Sequence, residues 1–122
     1  MSNIIYKGIF FTVEAAIRNN GSIPAIDFIK SLPKKDRVKL EALFRTFGDR
    51  GLIRDERKFK KLEGDIWEFK SFQIRLLCYR TKNRLIILTH GFYKKANKTK
   101  KSEIEKAIQI RREYETLKEK GF

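Results

Sequence analysis

The sequence predicts an α+β fold with the element order β-α-α-β-β-β-α. It reads as an antiparallel four-stranded sheet with two helices on one face and a C-terminal helix. Three observations predict it. Leu40, Leu43, Phe44 and Phe47 recur at i, i+3, i+4 and i+7, the spacing of a buried helical stripe. Three closely spaced runs rich in β-branched and aromatic residues, Ile66–Lys70, Phe72–Arg80 and Leu85–Phe92, read as strands of an antiparallel meander. From Ser102 to Lys118 the apolar positions Ile104, Ala107, Ile108, Tyr114 and Leu117 mark one side of a last helix.

Each element has its own local reason. Residues 9–13, Ile-Phe-Phe-Thr-Val, read as the first strand, and Arg18-Asn19-Asn20-Gly21 as a turn. Ser22 is the expected N-cap of a helix whose first turn holds Pro24 and which Pro33 ends after Leu32; Ile26, Phe28 and Ile29 are its apolar positions. The second helix runs from Lys35 to Phe47, with Gly48 and Gly51 as its stop. Residues 52–61 read as a charged connection. Ser71 and Lys82-Asn83 separate the three later strands. Ser102 and Glu105 have the spacing of a capping box. The length of 122 residues fits one domain, 1–122, able to hide roughly two-thirds of its unfolded surface.

Composition narrows the function. Hydrophobic residues make up 41%, which favours a globular chain over a disordered one. Lys and Arg total 29 against 15 Asp and Glu, a formal net charge of +14 with a pI near 10.1. A fold that carries such self-repulsion points to an anionic partner: nucleic acid, an anionic membrane or an acidic protein. Solubility alone is a weaker reason, because acidic residues serve it better. The single cysteine, Cys78, lies in an apolar run and reads as core filler. One Cys and one His argue against a zinc site, and no cofactor is expected. The N-terminus lacks a signal-peptide pattern and no run reaches the roughly 20 apolar residues of a membrane span, so the expectation is a cytoplasmic protein.

Alternation along Phe72–Arg80 places Gln73, Arg75, Leu77 and Tyr79 on one face and Phe72, Ile74, Leu76 and Cys78 on the other. The second set is more apolar and should meet the helices, which puts Arg75 on a face left partly open. Arg75 reads equally as a surface partner of Glu68 and as a functional group. His90 is the one histidine, at a strand end just before a lysine run. A lone histidine is more often structural than catalytic, and this placement improves the odds of a catalytic role. Phe92 and Tyr93 fit either base stacking or the core. Lys94 to Lys101 carries five lysines and no acid, and leads into a helix N-terminus where free N–H groups suit phosphate. Arg57-Lys58-Phe59-Lys60-Lys61 is a second basic cluster with an aromatic inside it.

The segment Lys61-Leu62-Glu63-Gly64-Asp65-Ile66-Trp67-Glu68-Phe69 resembles the K-L-x-x-x-[IL]-W-E-[LF]-R stretch of the HigB toxins, the phage Gp49-like group of the RelE/ParE superfamily. His90-Gly91-Phe92-Tyr93-Lys94-Lys95-Ala96-Asn97-Lys98-Thr99 resembles that group's H-x-F-x-K-K-x-x-K-T-P, and Glu103-Ile104-Glu105-Lys106-Ala107 its E-I-E-x-A. The resemblance spans residues 7–118, with both motifs in order. Lys70 stands where the group often has Arg, and Lys100 replaces the Pro after Lys-Thr.

The resemblance implies the same RelE-like element order and an activity. HigB-like toxins cut messenger RNA, typically on the ribosome, and are held inactive by a helix-turn-helix, HigA-like antitoxin, so DNA would be met only through that partner. The chemistry expected is metal-free attack of the 2′-OH on the neighbouring phosphorus. Arg75 is the expected phosphate clamp, Lys94 and Lys95 the transition-state cations, His90 an acid or base, and Glu68 a second base or the partner that orients Arg75. Lys60, Lys61, Lys70, Phe92, Lys98, Lys100 and Lys101 are expected to hold RNA. Two rival readings share the fold: a ParE-like gyrase inhibitor, and a module that binds RNA without cutting it.

Overall fold

The structure is a computed structural model that describes residues 2–51 and 54–121. Six strands and three helices follow in the order β1 (Ile4–Lys7), β2 (Thr12–Ala15), α1 (Pro24–Ser31), α2 (Lys34–Arg50), β3 (Phe59–Lys61), β4 (Trp67–Ser71), β5 (Ile74–Arg80), β6 (Leu85–Tyr93) and α3 (Lys101–Glu119). The strands form one mixed sheet in the order β1-β2-β6-β5-β4-β3. β2 and β6 run parallel, and every other pair is antiparallel. The α+β class and the β4-β5-β6 meander agree with the sequence reading. The four-stranded antiparallel sheet does not: short edge strands extend it to six, and one pairing is parallel.

The differences have local causes. Residues 9–11 are not strand but the connection between β1 and β2, because the backbone amides of Phe10 and Phe11 donate to Gly48 O (2.7 and 3.0 Å). Gly48 does not stop the second helix; it lies inside α2. A Cβ on Gly8 would sit 2.3–2.5 Å from Gly48 backbone atoms, so this crossing of hairpin and helix requires glycine at residue 8. The helix ends instead at Gly51, whose φ of 83° reverses the chain. In the stretch read as a connection, residues 59–61 pair with β4, while Leu52 and Ile53 lie outside the described residues.

Neither predicted cap forms. Ser22 sits in the preceding turn, with Ile23 at the N-cap of α1, and Ser102 is already inside α3, whose N-cap is Lys100. No side chain caps the first turn of α3.

The two faces of the sheet carry separate cores. On one, α1 and α2 bury Ala25, Leu40, Phe44 and Phe47 against Phe69, Ile74, Leu76, Cys78, Ile86 and Leu88. Phe44 and Phe47 each meet Phe69 edge-on, at 5.4 and 5.1 Å. Phe72, assigned to this face with Ile74, Leu76 and Cys78, is instead 73% exposed, because the strand begins only at Ile74 and Phe72 forms the turn before it. On the other face α3 covers Leu77, Tyr79 and Ile87 with Ile104, Ala107, Ile110 and Tyr114. The face expected to be partly open is thus closed by α3 over one end and open only at the other. Among the described residues, no helix is long and apolar enough to cross a membrane.

Candidate nucleic-acid site

A cleft of about 480 Å³ opens at the end of the sheet that α3 leaves uncovered. Its floor is the ends of β4, β5 and β6, and its wall is the loop 94–100 and the first turn of α3. Pairing explains the floor. Lys70 lies opposite Arg75, and Arg75 opposite Phe92, so three neighbouring strands present one cross-strand row. The next row is Lys60, Glu68, Leu77 and His90.

A β-bulge sets the last strand's contribution. Leu77 pairs with His90 but Cys78 with Leu88, which leaves Thr89 as the extra residue. Strict alternation from Leu85 and Ile87 would put Thr89 and Gly91 on the α3 face. The bulge turns His90 and Phe92 there instead, and sends Gly91 toward Phe28 and Leu76. A Cβ on Gly91 would lie 2.3 Å from Phe28 Cδ2, so the other face is filled up to the glycine.

Arg75 is 9% exposed and is held from three sides. Its Nη1 donates to Phe72 O (2.7 Å) and Ile74 O (2.9 Å), and its Nε lies 3.7 Å from Glu68 Oε1. The last distance is a charge contact without a hydrogen bond. No hydrogen bond uses Nη2, and no buried side-chain polar atom lacks a partner among the described residues, so that corner retains solvent access. Glu68 is 2% exposed, and the Thr99 hydroxyl donates to its Oε1. This bond ties the lysine-rich loop to β4. The pairing of Arg75 with Glu68 therefore exists, but it is buried rather than superficial.

His90 does not line the cleft. It is 2% exposed, behind Phe92, with its ring centroid 5.7 Å from that of Phe92. Its Nε2 lies 3.0 Å from Glu103 Oε1 and its Nδ1 3.1 Å from Thr89 Oγ. A carboxylate only accepts, so Nε2 carries the proton and donates to Glu103. Burial pushes the His90 pKa below its ordinary value, which Glu103 partly opposes. The Thr89 hydroxyl, which donates to Leu77 O (3.2 Å), has one proton to share between that carbonyl and Nδ1 of the ring.

Arg75, Glu68, Lys60, Lys70, Phe92, Lys94, Lys95, Lys98 and Lys100 all line the cleft. Lys61 and Lys101 do not line it; Lys61 is paired with Asp65 at 3.4 Å. Seven cationic side chains and three glutamates line the cleft, so a dianionic or polyanionic ligand is the chemistry it favours. The uncapped N-terminus of α3 adds its dipole to the same wall. Sequence reasoning missed Glu103 and Thr99 as site residues. Both stand inside the motifs that carried the resemblance, and that position was the available signal.

The family model described as Phage derived protein Gp49-like (DUF891) matches residues 27–112. The chain belongs to the Gp49-like family. That family lies within the RelE/ParE-like toxin superfamily, which is compatible with a toxin-antitoxin toxin and suggests an antitoxin as partner. The Gp49-like match runs from α1 into α3 and includes every residue of the cleft. No curated protein matches the chain.

Proposed function

We propose that this Gp49-like protein is a HigB-type toxin, an endoribonuclease that cuts messenger RNA on the ribosome and is restrained by a HigA-like helix-turn-helix antitoxin. One observation carries the reading: a single buried arginine, fixed by two backbone carbonyls, stands at the floor of a cleft walled by lysines. A guanidinium so held has little freedom left to lose when it meets a phosphate.

In this reading the 2′-OH of one nucleotide attacks the adjacent phosphorus. The O2′–P bond forms, the P–O5′ bond breaks, and the products end in a 2′,3′-cyclic phosphate and a 5′-OH. Arg75 and Lys70 stabilise the charge that grows on the non-bridging oxygens. Glu103 takes the 2′-OH proton, because its side chain is 29% exposed while that of Glu68 is 3% exposed and engaged with Arg75. His90 then acts through Glu103, as a positioning residue. Lys94 or Lys95 donates the proton that O5′ needs to leave.

Primer extension on translated messenger RNA tests this. Wild type is expected to leave discrete cuts, and Arg75→Ala and Lys94→Ala to weaken them. Intact RNA together with a block of gyrase supercoiling would overturn the reading in favour of a ParE-like toxin.

A further inference from the structure

Phe72 is an aromatic where the backbone calls for glycine. Ser71 pairs with Ile74, so Phe72-Gln73 is a two-residue hairpin turn, and Phe72 is at φ 55°. Gln73 has no such φ. A positive φ at the first of two turn residues is a position that favours Gly, since a Cβ there crowds the backbone. Such strain persists where something else is gained. The gain is not in the core, because Phe72 is 73% exposed. One contact orients the ring: Lys39 Nζ of α2 stands 4.1 Å from its centroid.

The turn is joined to the cleft by its own carbonyls. Phe72 O accepts from Arg75 Nη1 (2.7 Å), and Gln73 O accepts from the Lys94 backbone amide (2.6 Å). The ring does not line the cleft but stands on the α2 side of the turn whose carbonyls hold Arg75 and Lys94, so a strand of nucleic acid whose phosphate rests on those two residues reaches it by running over the turn. Its next base meets an exposed aromatic face, and Lys39 stands ready for the next phosphate.

We propose that Phe72 is a stacking platform for one unpaired nucleobase flanking the phosphate held in the cleft. This deepens the nuclease reading and rests on it. Stacking accepts any base, because every base has a π face, so the site measures the presence of a base rather than its identity.

Strain and function predict opposite signs for one substitution. Phe72→Gly removes the crowding and should leave the melting temperature equal or higher, while single-stranded binding falls roughly tenfold. The probes are short 2′-O-methyl RNA oligonucleotides, which cannot be cleaved because the attacking hydroxyl is blocked. Affinity is read by fluorescence anisotropy, with an abasic site walked along the strand. At one abasic position, wild type and Phe72→Gly should bind equally. Equal affinity of the two proteins for the fully based strand would overturn the stacking site and leave the cleft reading standing. An equal loss at every abasic position would also overturn it, by showing that the variant acts through Arg75. Failure of wild type itself to bind would sink the cleft reading, and this proposal with it.

Discussion

The two faces of the sheet are built to different rules. Under α1 and α2 the interior is apolar from end to end, with Phe44, Phe47 and Phe59 each packed on Phe69. Under α3 it is apolar only as far as Leu77 and Ile104. Beyond them, the four buried polar or charged residues among those described, Glu68, Arg75, Thr89 and His90, lie along that face or in the bulge that serves it. Buried charge costs stability even when paired. One face therefore holds the fold together, and the other spends part of that stability on a fixed constellation.

The largest expected effect breaks the first face. Phe44 is 1% exposed against Phe69, and Phe44→Ala should cost about 3–5 kcal/mol. Urea unfolding reads this directly. A loss under about 1 kcal/mol would mean that the α1/α2 face is not the main core. The second effect belongs to the other face. Arg75→Ala should slow cleavage about 10²–10³-fold, roughly 2.7–4 kcal/mol of barrier. Single-turnover rates at saturating RNA separate this from binding. A rate unchanged within about threefold would remove Arg75 from the clamp role.

Much of this contrast was legible in the sequence, and the rest was hidden for definable reasons. The stripe Leu40, Phe44, Phe47 and the alternation of β5 announced the apolar face. The lysine run and Arg75 announced the cleft. The strands β1 and β3 were invisible because four and three residues give periodicity too little length to register. The bulge at Thr89 was invisible because it depends on partner strands; it brings His90 onto the α3 face, where the ring lies behind Phe92 and does not line the cleft. Glu103 escaped notice because a charged residue in a first helical turn is explained by the helix dipole alone.

His90 sharpens the comparison through pH. Its folded pKa is depressed, chiefly by burial, so the folded state binds fewer protons than the unfolded state below the ordinary value of 6.5. Its contribution to stability is complete above that value and declines as pH falls from it toward the folded pKa. Glu103 and Lys106 of α3, and Arg18 from the loop before α1, are the charged groups that face the ring; Glu103 raises its pKa, and the two cations lower it. His90→Gln should flatten this slope in melting experiments between about pH 7.5 and 5. An identical slope in wild type and variant would show that the acid sensitivity comes from other groups.

The smallest effect tests how much of the cleft's positive charge touches RNA. Lys98 is exposed on the loop that Thr99 ties to Glu68, and its ammonium is free of any ion pair among the described residues. Lys98→Ala should leave stability within about 0.5 kcal/mol of wild type. Its effect should appear in the salt dependence of single-strand binding. Removing one cation that neutralises a phosphate lowers the slope of log affinity against log salt by about 0.7. Arg75→Ala should lower that slope by a similar amount, but it should also slow cleavage at saturating RNA, which Lys98→Ala should not. A Lys98→Ala protein with an unchanged salt slope would place that loop in solvent rather than on phosphate. The face would then hold RNA through its floor alone, and the lysine run would serve encounter with the RNA rather than the bound state.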